Sequence, residues 1–111
     1  MRERAAEALL REPARAVDDA RADLTDDSAA AASIAVATAK VTAAEAALEV
    51  ASALFKVSGT RSALDSLGLH RHWRDARTHT LHDPARWKVQ HIGHYVLGGT
   101  KPPGTAPCDE R

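Results

Sequence analysis

The longest regular pattern in the sequence is an apolar repeat at alternating spacings of three and four residues. Its members are Ile34, Ala37, Val41, Ala44, Leu48, Ala51 and Phe55. This spacing places them on one face of an α-helix, which we predict over residues 28–57. Because alanine alternates with larger side chains, a neighbouring helix can approach closely, as in an antiparallel bundle. The repeat therefore indicates a bundle core in preference to a solitary coiled coil.

The composition favours an all-α fold. Alanine contributes 24 of the 111 residues, whereas Phe, Trp and Tyr together contribute four. Alanine loses little free energy on entering a helix, while strands favour β-branched and aromatic side chains. A chain of this length forms one domain, but it is small for enclosing both a large cofactor and a substrate. If the chain contributes to an active site, we therefore expect that site to require a partner.

A first helix is expected over residues 2–24, where apolar residues again recur at spacings of three and four: Ala6, Leu10, Pro13, Val17, Ala20 and Leu24. An interior proline removes a hydrogen bond and clashes with the preceding turn, so Pro13 predicts a kink or a break. The segment TDDS, residues 25–28, offers several N-capping side chains for the long second helix. Ser58 and Gly59 are expected to end that helix, since glycine readily adopts a left-handed conformation.

Two shorter segments follow the long helix. Residues 61–67 predict a short helix closed by Gly68. Asp83 followed by Pro84 is typical of a helix start, with the aspartate as the N-cap and the proline in the first turn. The last helix is therefore predicted to run from Pro84 to about Leu97. The predicted architecture is two long helices, a short connector and a final helix.

Charge and cysteine content restrict the partners and the cellular setting. The 15 Lys and Arg balance the 15 Asp and Glu, so no bulk charge favours nucleic acid or membrane. Cys108 is the one cysteine and cannot form an internal disulfide, and we find no signal peptide and no run of about 18 apolar residues. We expect a cytoplasmic protein with a helical domain over residues 1–99 and a flexible tail over residues 100–111.

Residues 70–101 are basic and rich in histidine, with six Lys or Arg against two Asp. The histidines form three pairs: His70 with His72, His79 with His82, and His91 with His94. A pair at i, i+3 on a helix shares a face and could hold a metal, but no cysteine and few carboxylates lie nearby, so we predict no metal site. The mixture of Arg and Trp in HRHWRDAR would suit nucleic acid, yet no reading helix is recognisable. These residues alone indicate a helical bundle with a basic edge.

The second half of the chain resembles a known family. The matching stretches are ALFKVSGTRS, residues 53–62, and LGLHRHWRDARTHTLHDPARWKVQHIGHYVLGGTKPP, residues 67–103. They resemble the C-terminal part of the acyl-CoA dehydrogenase superfamily, in its flavin-dependent monooxygenase branch, which includes dibenzothiophene monooxygenase. The alanine-rich helices before them fit the same domain. The resemblance implies a partial or complete up-down helical bundle of the acyl-CoA dehydrogenase C-terminal type.

The resemblance also implies roles for the histidines. In the dehydrogenases a Tyr-Glu-Gly-Thr segment supplies the glutamate that removes an α-proton from an acyl-CoA. Asp83 takes that position here, one methylene shorter and followed by proline, so we interpret Asp83 as a helix N-cap and not as a base. The monooxygenase branch implies catalytic roles for His79 and His82 close to the flavin ring. An imidazole there can donate a hydrogen bond and pass a proton as oxygen is transferred.

Four further residues are implied to bind the cofactor. The turn at Ser58 and Gly59 corresponds to a turn near the flavin of a neighbouring subunit, where small residues permit close backbone approach. Arg74 and Arg77 would contact a flavin phosphate or the subunit interface. The alternative for the two arginines is ion pairing with Asp75 or with the acidic first helix.

The resemblance implies a three-part enzyme, with an N-terminal helical domain, a middle β-domain and a C-terminal bundle that forms the tetramer. This sequence matches the last part. We expect reduced FMN as the cofactor, with FAD as the alternative, a flavin reductase that supplies it, and partners that are either further copies or the N-terminal and middle domains. The isolated chain is expected to bind no flavin and to be inactive. A non-catalytic oligomerisation module, and a domain of an acyl-CoA dehydrogenase acting on CH–CH groups, are the alternatives.

Overall fold

The computed structural model describes residues 1–103. They form the helices α1 (Arg2–Ala22), α2 (Asp26–Ser58), α3 (His70–Leu81) and α4 (Ala85–Gly98), with short 3-10 turns at Thr60–Ala63 and Asp65–Leu67. No strand occurs in this part of the chain, so the predicted all-α class is confirmed.

The helix α2 is the centre of the fold, because each of the other three helices packs against it. An ion pair between Arg2 and Glu49, 2.7 Å apart, joins the start of α1 to the second half of α2, as an antiparallel hairpin requires. The helices α3 and α4 then return along α2 one after the other. Lys101, which follows α4, lies 2.9 Å from Asp27 in the first turn of α2. The chain is therefore an up-down bundle of three helical segments, and the third segment is divided into α3 and α4.

The helix α1 continues through Pro13 without a break. The proline ring is buried against α2, and Val17 and Ala20 lie on the same face, so apolar contact offsets the hydrogen bond that the proline removes. Leu10 and Leu24, which the repeat also assigned to this face, remain 55% and 76% exposed. The first helix was thus correctly predicted, although it ends at Ala22, before Leu24, and Leu10 in its middle is less covered than the pattern indicated.

A capping box starts α2 two residues earlier than predicted. The Thr25 hydroxyl accepts a hydrogen bond from the Ser28 N–H at 3.0 Å, and the Ser28 hydroxyl accepts one from the Thr25 N–H at 2.9 Å. The helix ends at Ser58, and Gly59 follows it with a φ of 70°. Both ends of the long helix therefore lie within two residues of the predicted positions.

Two local predictions were wrong. Residues 61–67 form two 3-10 turns instead of one helix, although Gly68 closes them in the left-handed conformation as expected. Asp83 does not cap α4, because Pro84 occupies the N-cap position and no side chain caps that helix. The Asp83 carboxylate is instead held by two lysines, which compete with the backbone N–H groups for it. The helix α3 was not predicted at all.

The core of the described region is built from alanine. Its most buried apolar residues are Ala20, Ala30, Ala32, Ala37, Ala39, Ala46 and Ala51. No large side chain is fully buried within residues 1–103. The chain exposes 8552 Å² of accessible surface, whereas a compact folded protein of 11.8 kDa exposes roughly 5,900 Å². The helices therefore lie close together through small side chains and leave most larger apolar side chains at least partly uncovered.

Within residues 1–103, α2 alone is long and apolar enough to cross a membrane by length and composition. The central helix of a bundle has the same properties, and three helices pack against α2. The tail after α4 is described only as far as Pro103, and in that part Pro102 is buried. Residues 104–111 lie outside the described residues, so the flexible tail stays a prediction there.

Candidate functional site at the break between α3 and α4

The three residues His82, Asp83 and Pro84 separate α3 from α4. His82 has an extended backbone, with φ −79° and ψ 119°, and Asp83 has a φ of 54°. A residue before proline is disfavoured in the right-handed helical region, and aspartate is one of the few non-glycine residues that tolerate positive φ. The local sequence therefore stops α3 at Leu81 and lets α4 start at Ala85.

Lys40, from the middle of α2, contacts this break. Its ammonium group donates to the Asp83 carboxylate at 2.7 Å and to the carbonyl oxygens of Asp83 at 2.9 Å and His82 at 3.5 Å. Lys88, in the first turn of α4, lies 3.2 Å from the same carboxylate. Hydrogen bonds from Lys40 and then Lys88 hold the pKa of Asp83 below its usual value of 3.8. The break is thus tied to α2 and to α4 by one shared carboxylate.

His79 borders a cavity of about 380 Å³ beside the break. The remaining lining residues are mostly small and come from α2, α3 and the start of α4: Lys40, Ala43, Ala44, Ala47, Ala76, Thr80 and Ala85. Because alanine side chains extend little from the helix, the space between α2 and α3 stays open. The cavity therefore combines an apolar wall with one imidazole and one ammonium group.

The imidazoles of His79 and His82 are both exposed. In the part of the chain that the structure describes, neither side chain makes a hydrogen bond or an ion pair. Their ring nitrogens are therefore available to a group from outside the chain. An imidazole is suited to donate a hydrogen bond and to exchange a proton near neutral pH.

Arg74 and Arg77 lie on α3 and are exposed. Neither is paired with a carboxylate within residues 1–103, so the alternative of ion pairs to Asp75 or to α1 does not occur there. At roughly 100° per residue, the two arginines share a face that lies about 150° from His79 around the helix axis. Neither arginine lines the cavity that His79 borders.

Ser58 and Gly59 lie at the end of α2 and are exposed. The helical rise puts Ser58 about 27 Å along α2 from Lys40. A Cβ built on Gly59 would meet no atom within 4 Å, so the backbone of this turn is open to close approach. The chain does not bring Ser58 and Gly59 together with His79 and His82.

The remaining histidines lie apart from the cavity that His79 borders. His70 is paired with Asp65, at 3.1 Å. His91 borders a second cavity, of about 320 Å³, together with Lys40, Asp83 and Lys88, and His94 is exposed on α4. The described ranges contain no group of three or more His, Cys, Asp or Glu that could hold a metal ion.

The family model described as "Acyl-CoA dehydrogenase, C-terminal domain" matches residues 1–87. The chain belongs to this family. The match covers α1, α2, α3 and the break, and the suspected relationship to the acyl-CoA dehydrogenase superfamily is confirmed.

Several monooxygenases are similar to this acyl-CoA dehydrogenase C-terminal domain. A probable FMNH2-dependent monooxygenase of Pseudomonas putida is 41% identical over 69 residues, and dibenzothiophene monooxygenase of Mycolicibacterium goodii is 46% identical over 63 residues. These alignments cover 62% and 57% of this chain but only 18% and 15% of the relatives. The chain therefore matches less than a fifth of the length of either relative.

Solved structures show the same relationship in three dimensions. The methanesulfinate monooxygenase of Pseudomonas fluorescens superimposes with a TM-score of 0.81 and 39% identity, over 89% of this chain and 26% of that one. An FMN-bound protein of a Paenibacillus species superimposes with a TM-score of 0.83 and 36% identity, over 91% of this chain and 26% of that one. The fold is therefore that of one helical part of these larger monooxygenases.

Lys40 is a residue of this acyl-CoA dehydrogenase C-terminal domain that we did not predict from the sequence. It is the one charged residue between Asp27 and Glu45 in an otherwise apolar and alanine-rich helix. A half-buried charge in an otherwise apolar stretch of a packed helix requires a partner, so this isolated lysine was a usable signal. The partner itself could not be identified, because Asp83 lies 43 residues further along the chain.

Proposed function

We propose that the chain is the C-terminal helical domain of a reduced-flavin-dependent monooxygenase and presents His79 and His82 to an FMN site that other domains complete. The pair of unbonded imidazoles beside the break between α3 and α4 carries this proposal. It is supported by the likeness to an FMN-bound protein over 91% of this chain. FMN is preferred to FAD because the similar proteins are described as FMNH2-dependent or FMN-bound.

The available side chains fit a flavin. Arg74 and Arg77 are exposed cations without carboxylate partners in the described region, which suits a phosphate group. The open backbone at Gly59 suits close approach of a planar ring. Since Ser58 and Gly59 lie far along α2 from His79, these groups can serve the same flavin only if two chains contribute to it. The proposal therefore includes an oligomer, in which each site draws on a neighbour.

The flavin, when bound and reduced, supplies the electrons and the activation of oxygen. The residues of this chain act around it. His79, held at the rim of the alanine-lined cavity, can donate a hydrogen bond from its ring N–H towards the space between α2 and α3. His82, in the extended residue after α3, can hold or pass a proton at its ring nitrogen. The apolar wall of the cavity excludes water from that side.

Asp83 does not suit the alternative of acyl-CoA dehydrogenation. A base that removes an α-proton needs a free carboxylate with a pKa near the working pH. The Asp83 carboxylate is bound by Lys40 and Lys88, and its pKa is lowered by them. A carboxylate that is already paired and weakly basic is a poor proton acceptor. This favours the monooxygenase branch over a dehydrogenase acting on CH–CH groups.

The second candidate function is a helical oligomerisation module without catalysis. Large apolar side chains are exposed on every helix, including Leu10 on α1, Val50 on α2, Trp73 on α3 and Leu97 on α4. Apolar surface exposed on all four helices is available to another protein surface, as an oligomerisation module requires. Association of chains is therefore part of both candidate functions, and flavin binding is what separates them.

The test combines the chain with the N-terminal and middle domains of a dibenzothiophene monooxygenase relative. FMN binding is followed by quenching of flavin fluorescence, assembly by light scattering, and oxidation of dibenzothiophene with a flavin reductase supplying reduced FMN. We expect FMN binding and oxidation only in the mixture. The variants His79→Ala and His82→Ala should lower turnover roughly a hundredfold, while His94→Ala, an exposed imidazole elsewhere on α4, should not.

Assembly of the mixture without FMN binding would contradict the flavin-site proposal and support the oligomerisation module. Tight FMN binding by the chain without the other domains would contradict the shared site. Equal turnover in His82→Ala and His94→Ala would remove the proposed role of His82.

A further inference from the structure

The ammonium group of Lys40 reaches three oxygen atoms, and all three belong to His82 and Asp83. They are the two carbonyl oxygens and one carboxylate oxygen of this dipeptide, at 3.5, 2.9 and 2.7 Å. Lys40 is only 31% exposed, and the surrounding face of α2 is apolar. A half-buried ammonium group needs its three donors satisfied, so its position is tightly coupled to that of the break.

Of the two carbonyl groups that Lys40 contacts, that of His82 belongs to the C-cap residue of α3, and that of Asp83 lies outside the helix. The last four C=O groups of an α-helix have no intrahelical donor, and a cation near that end also interacts favourably with the helix dipole. The Lys40 ammonium supplies a donor to the C-cap carbonyl, at 3.5 Å, and a positive charge near this helix end. It therefore stabilises the extended conformation of His82 and the positive φ of Asp83, which the backbone does not favour by itself.

A second lysine supports the same arrangement from α4. Lys88 lies 3.2 Å from the Asp83 carboxylate oxygen that Lys40 also contacts. One carboxylate thus joins the middle of α2 to the first turn of α4. His91, one turn further along α4, borders the cavity of about 320 Å³ that Lys40, Asp83 and Lys88 also line. The break is held from two helices at once, so the direction of α4 relative to α3 is fixed.

We infer that Lys40 is a positioning residue that sets the geometry of His79 and His82. This inference rests on the proposed function, because the geometry of the two histidines matters only if they serve the flavin site. The contacts that Lys40 makes do not depend on that function. His82 belongs to the dipeptide that Lys40 holds, and His79 lies one turn earlier on α3 and borders the same cavity as Lys40. Lys40 does not need to touch the cofactor or substrate to act in this way.

The first test uses the full chain without flavin. Lys40→Met keeps the length of the side chain and removes its charge, and Lys40→Arg keeps the charge. Lys56→Met, an exposed lysine on the same helix, is the matched control. Amide hydrogen exchange of His82 and Trp87, whose N–H groups donate to the carbonyls of His79 and Pro84, and the ring-proton NMR signals of His79 and His82 are measured, with the His70 and His72 signals as internal references.

We expect Lys40→Met to speed amide exchange at His82 and Trp87 by roughly tenfold or more while the amides of α1 keep their protection. The ring signals of His79 and His82 should shift, those of His70 and His72 should not, and Lys40→Arg should restore most of the difference. Unchanged exchange and unchanged ring signals in a folded Lys40→Met protein would overturn the inference. If that variant does not fold, Asp83→Asn, which keeps the carbonyl contacts, must show the same local changes in smaller degree, and an absence of them would overturn it equally.

The second test places Lys40→Met in the reconstituted mixture described above. A positioning role predicts that kcat falls roughly tenfold to a hundredfold, that KM and the dissociation constant of FMN change little, and that Lys40→Arg recovers kcat. A fall in FMN binding with unchanged kcat would contradict positioning. If the wild-type mixture itself binds no FMN, the proposed function fails, and the exchange and NMR results still decide whether Lys40 orders the two histidines.

Discussion

Nζ of Lys40 lies 2.7 Å from Oδ2 of Asp83, although the two residues are 43 positions apart in the sequence. The contact joins the middle of the central helix to the point where the returning helix is interrupted. The interruption is therefore not a loose connection between α3 and α4. It is a defined turn whose conformation depends on a side chain from α2, and two histidines of the candidate site lie within four residues of it.

This ion pair predicts a specific pH dependence of stability. The pKa of Asp83 is below its usual 3.8 in the folded chain, so the pairing with Lys40 and Lys88 stabilises the fold above that pH. The contribution is lost as the pH falls below 3.8 and the carboxyl group becomes protonated. Asp83→Asn removes the charge at every pH and keeps the shape of the side chain.

Urea unfolding of the wild type and Asp83→Asn should therefore show a constant difference in stability from roughly pH 7 to pH 5. The difference should shrink as the pH falls below 3.8, and added salt should reduce it at neutral pH, because the pair is partly exposed. Asp75→Asn, a carboxylate on α3 without an ion pair in the described region, serves as the control. A difference that persists undiminished at low pH would show that the charge of Asp83 is not what stabilises the turn.

The long helix was predictable because two independent signals agree on it. The apolar repeat from Ile34 to Phe55 identifies one of its packed faces, and Thr25 and Gly59 mark its two ends. The helix α3 offers no such signal. Its sequence HRHWRDARTHTL has no apolar repeat, and its contact with α2 is made through small residues such as Ala76 and Thr80. Tertiary contact, and not periodicity, stabilises this helix.

The candidate site was predictable only in part, and for a similar reason. The resemblance selected His79 and His82, and the structure places both beside the break with free ring nitrogens. The expectation that Asp83 caps α4 followed a sound local rule, but Lys40 and Lys88 compete for the carboxylate, and that competition is decided by distant parts of the chain. Local preferences therefore predicted where α4 begins, but not the helix before it or the contacts that hold the break.

The capping box at the start of α2 predicts a measurable loss of stability in Thr25→Ala. That substitution removes the oxygen that accepts from the Ser28 N–H and leaves this donor to water. We expect the free energy of unfolding to fall by about 1 kcal/mol. The matched control is Thr78→Ala, which replaces an exposed threonine inside α3 and should change stability by less than about 0.5 kcal/mol. Equal effects of the two substitutions would show that the capping box contributes nothing beyond an ordinary helical position.

Two glycines should respond to alanine in opposite directions. Gly68 has a φ of 60°, which a side chain makes unfavourable even where space is open, so Gly68→Ala should destabilise the fold by about 1–2 kcal/mol. Gly93 lies inside α4 with no atom within 4 Å of a built Cβ, so Gly93→Ala should stabilise it by about 0.5–1 kcal/mol. Thermal unfolding of both variants by circular dichroism measures the two effects. A loss of stability in Gly93→Ala would show that this face of α4 requires a bare backbone.

Neighbouring alanines on α2 provide a test of how closely the helices pack. Ala30 is fully buried, and Ala31 is exposed. A leucine at position 30 must displace its neighbours, at a cost of about 1–3 kcal/mol, because the alanine core leaves no room for it. Ala31→Leu should change stability by less than about 0.5 kcal/mol. Denaturant unfolding of both variants is the measurement, and equal stabilities would contradict close contact around Ala30.

The arginines on α3 predict an electrostatic contribution to flavin binding. Arg74 and Arg77 share one exposed face and have no carboxylate partner within residues 1–103, so a phosphate group would not have to displace an existing ion pair. In the reconstituted mixture, the double variant Arg74→Ala with Arg77→Ala should weaken FMN binding by roughly tenfold and reduce its salt dependence. Riboflavin, which lacks the phosphate, should bind the wild type and the double variant equally. Arg11→Ala, an exposed arginine on α1 without an ion pair in the described part, should leave FMN binding unchanged. If riboflavin binding falls as much as FMN binding, the arginines act on assembly of the chains and not on the phosphate.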